Sequence, residues 1–228
     1  MSISHKELLA MLSKSFLGLA VLFAGLSHSL KVKADNELLE GSEYKEISFD
    51  DIPKTAYTFE KNQLSVVVKK SSSVKMKAFE KIKTVKSVSF EYQIDGKLDI
   101  NNEQQHREKS GDDALFRVGL LRSGDAPSIP FFAPAWIKKS SSLLKLPSDK
   151  LIYLVLSPVA KGGSRWESPY SSSIENIALN KKEATEKGWQ KASYQFDKPI
   201  PIVGYWLMAD GDNTSSSFSL KVRNLNFY

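Results

Sequence analysis

The stretch VSFEYQI, residues 88–94, alternates between large apolar side chains and polar ones. Because successive side chains of a β-strand point to opposite faces, this pattern places every apolar residue on one face. A period of two is typical of a half-buried strand. The stretch therefore predicts a strand that buries Val88, Phe90, Tyr92 and Ile94.

Further stretches along the chain show strand patterns. In ALFRVGLLR, residues 114–122, Phe116 and Val118 share a face opposite to that of Arg117. LIYLVL, residues 151–156, is apolar on both faces, which favours a central strand. The other predicted strands are 65–69, 174–179, 193–196, 202–209 and 217–222.

Two local irregularities interrupt this pattern. The apolar residues of the last strand are even-numbered up to Val222 but odd-numbered from Leu225, so we expect a β-bulge at 223–224. The segment 179–190 is expected to form one or two helical turns, which Gly188 ends.

Together, about eight short strands with polar turns between them predict an all-β protein. The expected architecture is an antiparallel two-sheet β-sandwich of jelly-roll type, with residues 35–228 as a single domain. Its predicted core contains Phe90, Tyr92, Phe116, Val118, Tyr153 and Leu220.

The N-terminus has the pattern of a cleavable signal peptide. Lys6 and Lys14 precede FLGLAVLFAGL, residues 16–26, which at eleven residues is too short to cross a bilayer. Val32 and Ala34 are small residues at the two positions that a signal peptidase reads, so we expect cleavage after Ala34 and a signal peptide of residues 1–34.

Ser27 and Ser29 offer a second cleavage position, and a buried N-terminal helix is the alternative interpretation of this segment. No later segment is apolar enough to predict a membrane span in the mature chain. The absence of cysteine excludes a lipoprotein anchor and disulfide bonds. The mature protein is therefore expected in the periplasm or outside the cell.

The charge pattern argues against a nucleic-acid partner. Residues 1–34 carry four lysines and one glutamate, so their removal lowers the formal net charge from +6 to +3. The only dense basic stretch, 69–86, lacks the interleaved aromatic residues or recognisable module expected of a nucleic-acid-binding face. A solvated lysine-rich surface explains it.

Several motifs resemble a known family when they are taken in order. They are KSGDDALFRVGLL (109–121), KLIYLVL (150–156), GWQKASYQFDKPIPIVGYWLMADGDNT (188–214) and VRNLNFY (222–228). They are similar to the domain-of-unknown-function family 3047, whose members are exported bacterial proteins, over about residues 59–228. The family's Gly-Asp-Asp with a following Arg falls on Gly111, Asp112, Asp113 and Arg117, and its late Asp-x-Asp-Asn-Thr on 210–214. The resemblance implies an all-β sandwich and no particular activity.

Histidine and cysteine are too scarce for most catalytic sites. His106 is the only histidine that would remain after signal cleavage, so a Ser-His-Asp triad requires it as the base. A cysteine nucleophile and a zinc site with several His or Cys ligands are both excluded. A single histidine in a polar stretch is expected to be solvated.

Carboxylates are the remaining candidates for a functional site. If the strand already starts at Asp112, then Asp113 shares a face with Arg117 and can pair with it, while Asp112 accepts backbone N–H bonds. A glycosidase needs two carboxylates that face one substrate, so it would have to pair one of these with Asp210 or Asp212.

The loop in LMADGDNTSSSF, residues 207–218, has two interpretations. Asp210, Asp212 and Asn213 supply oxygen donors that suit calcium, which makes them the candidate metal ligands. The alternative is a plain β-hairpin turn, since Asp-Gly is a favoured turn pair. No cofactor is certain from the sequence, and calcium remains open.

Trp136, Trp166 and Tyr170 lie in proline-containing stretches that are expected to be loops. Exposed aromatic rings there would stack on sugar rings, whereas rings folded back would only cover the core. The candidate ligand-binding residues are therefore Asp112, Asp113, Arg117, Trp136, Trp166 and Tyr170.

Two function classes follow. The favoured one is an exported, non-catalytic β-sandwich protein that binds an envelope or extracellular glycan, or a protein partner of the envelope. The alternative is a glycan-cleaving enzyme, a glycoside hydrolase or lyase, that uses carboxylates of both acidic motifs. Whether Asp112 or Asp113 lies within reach of Asp210 or Asp212 at the base of a groove discriminates between the two classes. Because both acidic motifs lie at strand ends, we expect Asp112, Asp113 and Arg117 to approach Asp210, Asp212 and Asn213 in the fold.

Overall fold

The computed structural model describes residues 35–37, 40–129 and 131–228. The expected signal peptide, residues 1–34, lies outside the described residues. Within them, none of the helices is long and apolar enough to cross a membrane.

Twelve strands and one α-helix make up the regular structure of the described residues, so the prediction of an all-β protein is confirmed. In chain order the elements are β1 (Asp35–Asn36), β2 (Lys45–Ser48), β3 (Ala56–Glu60), β4 (Gln63–Lys69), β5 (Ser73–Lys97), β6 (Ala114–Ser123), α1 (Ala135–Leu143), β7 (Ser148–Leu156), β8 (Arg165–Ser168), β9 (Ser171–Ala178), β10 (Asn180–Glu183), β11 (Gln190–Asp210) and β12 (Ser217–Phe227). Short 3-10 helices occupy Gly41–Glu43, Glu103–Arg107 and Lys109–Gly111.

Hydrogen bonds join all twelve strands into one continuous sheet. Its main order is β3-β4-β12-β5-β11-β6-β7-β9-β8, with β1 added to β12, β2 to β5 and β10 to β11. Every pairing is antiparallel except that of β7 with β9. A division into two sheets is not visible in the pairing itself, so the jelly-roll sandwich stays a prediction.

The two longest strands exchange neighbours along their length. The first residues of β5, 73–76, pair with β2, whereas residues 88–97 pair with β12. The ladder between β5 and β11 shifts register twice, between Gln195 and Ile200 and again between Ile202 and Gly204. These shifts bend the sheet where the long strands pass from one set of neighbours to the other.

The two faces of the central strands pack into two different cores. On one face, Phe90 of β5 meets Phe116 of β6 with ring centroids 5.3 Å apart. On the other face, Trp206 of β11 and Tyr153 of β7 form a second cluster, against which Trp136 of α1 packs. All six predicted core residues are buried, with Tyr153 in the second cluster and the other five in the first.

Two local predictions were wrong and one is confirmed. Residues 180–183 form strand β10 rather than helical turns, because they pair with β11. The stretch with Trp136 is helical, since α1 begins directly after Pro134. The bulge is confirmed: the β12–β5 register shifts between Arg223 and Asn226, and Asn224 has a φ of 52°.

Candidate functional site

Arg117 is the centre of the candidate site. It lies on β6, opposite Met208 of β11, and projects from the face of the second core. Its guanidinium donates from Nη2 to Asp112 Oδ1 (2.8 Å) and from Nη1 to Asp210 Oδ2 (3.1 Å). The same group lies 5.2 Å from the ring centroid of Tyr153. Arg117 is only 3% exposed, so these contacts replace solvent around its charge.

The two neighbouring aspartates have exchanged the roles predicted for them. Asp112 pairs with Arg117, whereas Asp113 accepts backbone N–H bonds. The prediction assumed that the strand starts at Asp112, but β6 begins at Ala114. Asp112 adopts φ −78° and ψ 54°, outside the extended region, so strict alternation of faces does not apply to it.

Asp113 fastens the late acidic loop to β6. Its Oδ1 accepts from the backbone N–H and the side-chain Nδ2 of Asn213, at 3.3 Å and 3.2 Å. Its Oδ2 accepts from the backbone N–H of Thr214 at 2.6 Å. Asp210 makes the second link, because its Oδ1 accepts from the backbone N–H of Ala114 at 2.9 Å. The prediction that the two acidic motifs approach each other is confirmed.

The late loop itself is a closed turn. The backbone N–H of Ser216 donates to the carbonyl oxygen of Gly211 at 2.8 Å, and Ser215 adopts a left-handed φ of 55°. A side chain at Gly211 would place its Cβ 2.8 Å from the backbone oxygen of Ser216, so only glycine fits there. The segment is therefore a turn, but not the predicted β-hairpin turn, because β5 lies between β11 and β12 in the sheet.

The three side chains best placed to hold a cation are not the three that the sequence predicts, because Asp113 takes the place of Asn213. Carboxylate oxygens of Asp113, Asp210 and Asp212 lie within 4.8 Å of one another. Asn213 of the predicted trio instead bonds Asp113 through Nδ2, and its Oδ1 accepts from the Tyr170 hydroxyl at 3.3 Å. Both oxygens of Asp113 and both of Asp210 already accept N–H bonds, which leaves each with fewer lone pairs for an ion.

We call Arg117, Asp112, Asp113, Asp210, Asp212 and Asn213 the Arg117 cluster. It holds four carboxyl groups and one guanidinium. Burial raises the pKa of Asp210 well above its ordinary value, and although Arg117 opposes this shift, the carboxylates of Asp113 and Asp112 add to it. Burial and Asp113 likewise raise the pKa of Asp212. Asp210 and Asp212 therefore ionise less readily than carboxyl groups in water.

A cavity of about 350 Å³, the polar cavity, opens above this cluster. Asp112, Arg117, Asp210, Asp212 and Asn213 line its polar side. The other side is a row of aromatic rings, in which Phe49 contacts Trp136, Trp136 contacts Trp206, and Trp206 contacts Tyr153. The centroid distances along this row are 5.7, 6.3 and 6.1 Å.

The three predicted aromatic platform residues have different environments. Trp136 and Tyr170 both line the polar cavity, and Tyr170 remains 54% exposed. The prediction that Trp166 is an exposed platform in a loop was wrong. Trp166 lies on β8, is 5% exposed and stacks on His106 with ring centroids 5.5 Å apart. Trp166 does not line the polar cavity.

His106 is buried rather than solvated, which corrects the prediction. Its Nε2 lies 2.7 Å from Ser157 Oγ, and that oxygen also accepts from the backbone N–H groups of Val159 and Ala160. The serine hydroxyl therefore donates to His106. Burial, with Arg117 adding to it, lowers the pKa of His106 to about 4. Neither residue lines the polar cavity, so this pair does not form a catalytic triad there.

Sequence reasoning missed several residues that complete the polar cavity. Trp206 and Tyr153 were expected only as strand or core residues, yet both line the cavity. Ser72 is buried and also lines the cavity. One signal was available: Trp206, Met208 and Asp210 follow one another at a period of two, which leads one face of β11 directly to the acidic motif.

The fold and the site define an all-β protein with an aromatic-walled cavity above a buried arginine–carboxylate cluster. A family model described as "Protein of unknown function (DUF3047)" matches residues 42–226, so the chain belongs to this family. The family resemblance noted from the motifs is thereby confirmed, and it extends further toward the N-terminus than expected. No curated protein and no solved structure matches the chain.

Proposed function

We propose that this protein is an exported, non-catalytic binding protein that holds a glycan in the polar cavity. The observation that carries the proposal is the arrangement of that cavity, in which a row of aromatic rings faces the Arg117 cluster. Sugar rings offer apolar C–H faces to aromatic rings and hydroxyl groups to charged side chains. A cavity that combines both surfaces fits this chemistry.

Unpaired polar atoms support a ligand rich in hydroxyl groups. Arg117 Nε and Trp206 Nε1 are buried, and neither has a hydrogen-bond partner among the described residues. Both residues line the polar cavity. A buried N–H group without an acceptor costs about 1–3 kcal/mol, which a ligand oxygen would offset. Asp212 and the Asn213 carbonyl supply acceptors for ligand hydroxyl protons on the same side.

The bonding of the carboxylates favours binding over catalysis. Asp112 and Asp210 both pair with Arg117, and the carboxylate oxygens of Asp113 accept hydrogen bonds from the backbone of the late loop. Asp113 does not line the polar cavity. A glycosidase requires two carboxyl groups that are free to exchange protons or attack the sugar. Asp212 is the only carboxyl group of the Arg117 cluster that lines the cavity outside these bonds.

One observation favours the alternative, a carboxylate-based glycan-cleaving enzyme. Asp212 lines the polar cavity beside Asp210, and burial and Asp113 raise its pKa, as is usual for a general acid. In that alternative Asp212 protonates the leaving oxygen, and Asp112 of the other acidic motif, which also lines the cavity, attacks the anomeric carbon from the opposite face of the sugar ring. Water then hydrolyses the glycosyl-enzyme intermediate. The alternative requires measurable release of reducing ends from a glycan.

Export and the two-sheet architecture belong to the same proposal. The short apolar run at 16–26 and the small residues Val32 and Ala34 support cleavage after Ala34 and a periplasmic or secreted mature protein. The Phe90–Phe116 contact, together with the change of neighbours along β5 and β11, supports a sheet folded over itself into a jelly-roll sandwich.

A glycan-array screen of the mature protein, with a reducing-sugar assay on each glycan that binds, tests the proposal. Tyr170→Ala should abolish or strongly weaken binding. The matched control is Ile82→Ala, which is also 54% exposed but lies outside the polar cavity. Binding without release of reducing ends supports the proposed function. Release that is lost in Asp212→Asn supports the enzyme, and a screen with no binder overturns both.

A further inference from the structure

A second, larger cavity adjoins the polar cavity. It lies between α1 and the face of the sheet that carries the second core. Its volume of about 810 Å³ is within the range of small-molecule pockets. The two cavities share Pro134, Trp136, Tyr170, Ile174 and Trp206 as walls, so they are neighbouring parts of one depression. We call the second one the apolar cavity, because a group of aliphatic side chains lines it: Leu121, Ile129, Ile137, Leu144, Leu146 and Leu151.

The chemistry changes sharply from one cavity to the other. The polar cavity holds Asp112, Asp210 and Asp212 against Arg117, which disfavours an anionic head group. The apolar cavity offers no comparable buried ion cluster among its lining residues. Its charged members Lys145, Lys150 and Asp149 form ion pairs with Glu80, Glu175 and Arg122, respectively. A ligand that fills both needs a neutral, hydroxyl-rich end and an apolar end.

The segment that borders the apolar cavity exposes two large aromatic side chains. Phe131 and Phe132 are 94% and 87% exposed, and they lie between Ile129 and Ala133, which both line the cavity. Adjacent phenylalanines in water are costly and mark a surface that contacts something apolar. Because Phe131 and Phe132 lie beside the apolar cavity, they extend its apolar surface outward toward solvent.

We infer that the ligand is a neutral sugar carrying an alkyl or acyl chain, with the sugar in the polar cavity and the chain in the apolar cavity. The inference rests on the proposed function and names its ligand class. Trp136 and Trp206 form the boundary, since each lines both cavities. They contact the sugar face on one side and the first methylene groups of the chain on the other.

Alkyl glycosides of graded chain length test this inference on the mature protein. The probes are methyl, hexyl, octyl and decyl β-D-glucosides and the matching maltosides, used below their micelle concentrations, with 1-octanol as the chain alone. Binding is followed by calorimetry and by tryptophan fluorescence. Affinity should rise about threefold to fourfold for each added methylene that is buried. The glycosides should bind more tightly than 1-octanol.

Two variants locate the chain. Ile137→Asp places a charge in the apolar cavity, and Ile137 lies outside both hydrophobic core clusters. It should abolish the dependence on chain length but leave methyl glycoside binding unchanged. Ile82→Asp, the same change at an exposed site, is the control and should keep that dependence. Phe131→Ser with Phe132→Ser, both exposed, should weaken decyl glycoside binding without affecting folding.

Each outcome decides the inference separately from the proposed function. Glycosides that bind equally at all chain lengths overturn the inference and leave the glycan proposal standing. Equal binding of 1-octanol and octyl glycosides overturns it as well, because head and chain must act on one molecule. Failure of every alkyl glycoside to bind also overturns it, while the array of unmodified glycans still decides the proposed function.

Discussion

Two buried charges in this protein are each held by two opposite charges, yet their surroundings differ. Glu37 accepts from Lys77 at 2.8 Å and from Lys83 at 2.5 Å, which together form the Glu37 centre. Arg117 donates to Asp112 and Asp210 in the mirror arrangement. Both central residues are nearly inaccessible to solvent. The first centre ties the segment before β2 to the sheet, and the second lies beneath the polar cavity.

The difference lies in the balance of charge. Glu43 also pairs with Lys77, so two carboxylates face two ammonium groups around the Glu37 centre. At the Glu37 centre the lysine side chains remain 16% and 38% exposed, so water still solvates their ammonium groups. Burial acts to raise the pKa of Glu37, but the hydrogen bonds from Lys77 and Lys83 outweigh it and the pKa falls. The Arg117 cluster has more carboxyl groups than its single guanidinium can neutralise, and burial raises the pKa values of Asp112, Asp210 and Asp212. A balanced centre stabilises the fold, whereas an unbalanced one beside a cavity is suited to binding.

The largest effect in this comparison should come from removing the central arginine. Arg117→Met leaves Asp112 and Asp210 buried without a cation and should lower the free energy of unfolding by about 3–5 kcal/mol. Urea denaturation near neutral pH measures it. Arg165→Met is the control, since Arg165 is 49% exposed in its ion pair with Glu175, and it should cost less than about 1 kcal/mol. Equal losses in the two variants would show that the Arg117 cluster contributes no more than a surface pair.

A smaller effect is expected at the Glu37 centre. Glu37→Gln removes the charge that Lys77 and Lys83 share and should cost about 1–3 kcal/mol, because both ammonium groups can turn to water. Glu43→Gln is the matched control: Glu43 pairs with the same Lys77 but is 45% exposed, so the loss should stay below about 1 kcal/mol. A loss at Glu37 that exceeds the loss in Arg117→Met would reverse the comparison.

The two centres should respond to pH in opposite directions. The pKa of Glu37 lies below its ordinary value of 4.5, so its stabilisation is present above that pH and is lost as pH falls through the folded pKa. Burial raises the pKa of Asp112 above its ordinary value of 3.8, although Arg117 opposes it, so its contribution is present below that pH and is lost as pH rises through the folded pKa.

Urea denaturation between about pH 3 and pH 7 separates these contributions. The stability difference between wild type and Glu37→Gln should shrink toward low pH, whereas the difference between wild type and Asp112→Asn should shrink toward high pH. Asp112→Asn is a mild change, since the amide oxygen that it introduces can still accept from Arg117, and Ser168 can turn to accept from the amide nitrogen. Parallel profiles for the two variants would remove the proposed contrast.

The smallest effect is expected from calcium. Because Asp113 and Asp210 already accept N–H bonds at both oxygens, we expect the melting temperature to be the same with calcium and with a chelator. Thermal melts and calorimetric titration measure this at millimolar calcium. A rise in melting temperature with calcium that disappears in Asp212→Asn would instead place the ion between Asp113, Asp210 and Asp212.

The all-β class and the central strands were predictable because they depend on local periodicity, whereas the prediction of about eight short strands was wrong: the described residues form twelve, and two of them are 25 and 21 residues long. The alternation in 88–94 and 114–122 correctly placed the core residues Phe90 and Phe116, and the parity change after Val222 located a real bulge. The burial predicted for Ile94 was wrong, since this residue is 37% exposed. The prediction of helical turns in 179–190 was wrong because polar residues with good helix propensity pair with β11 and form an edge strand. Tertiary pairing overrode the local preference there.

The sequence by itself determined which residue types were available for a site: two acidic motifs, an arginine on the face of β6 opposite to Phe116, and a single histidine after the predicted signal peptide. Only the tertiary structure decided that Asp112 rather than Asp113 pairs with Arg117, and that Trp206 and Tyr153 line the polar cavity while Trp166 is buried. The physical reason is that side-chain direction in a strand follows from sequence parity, whereas the partners at strand ends depend on backbone turns and on residues about a hundred positions away.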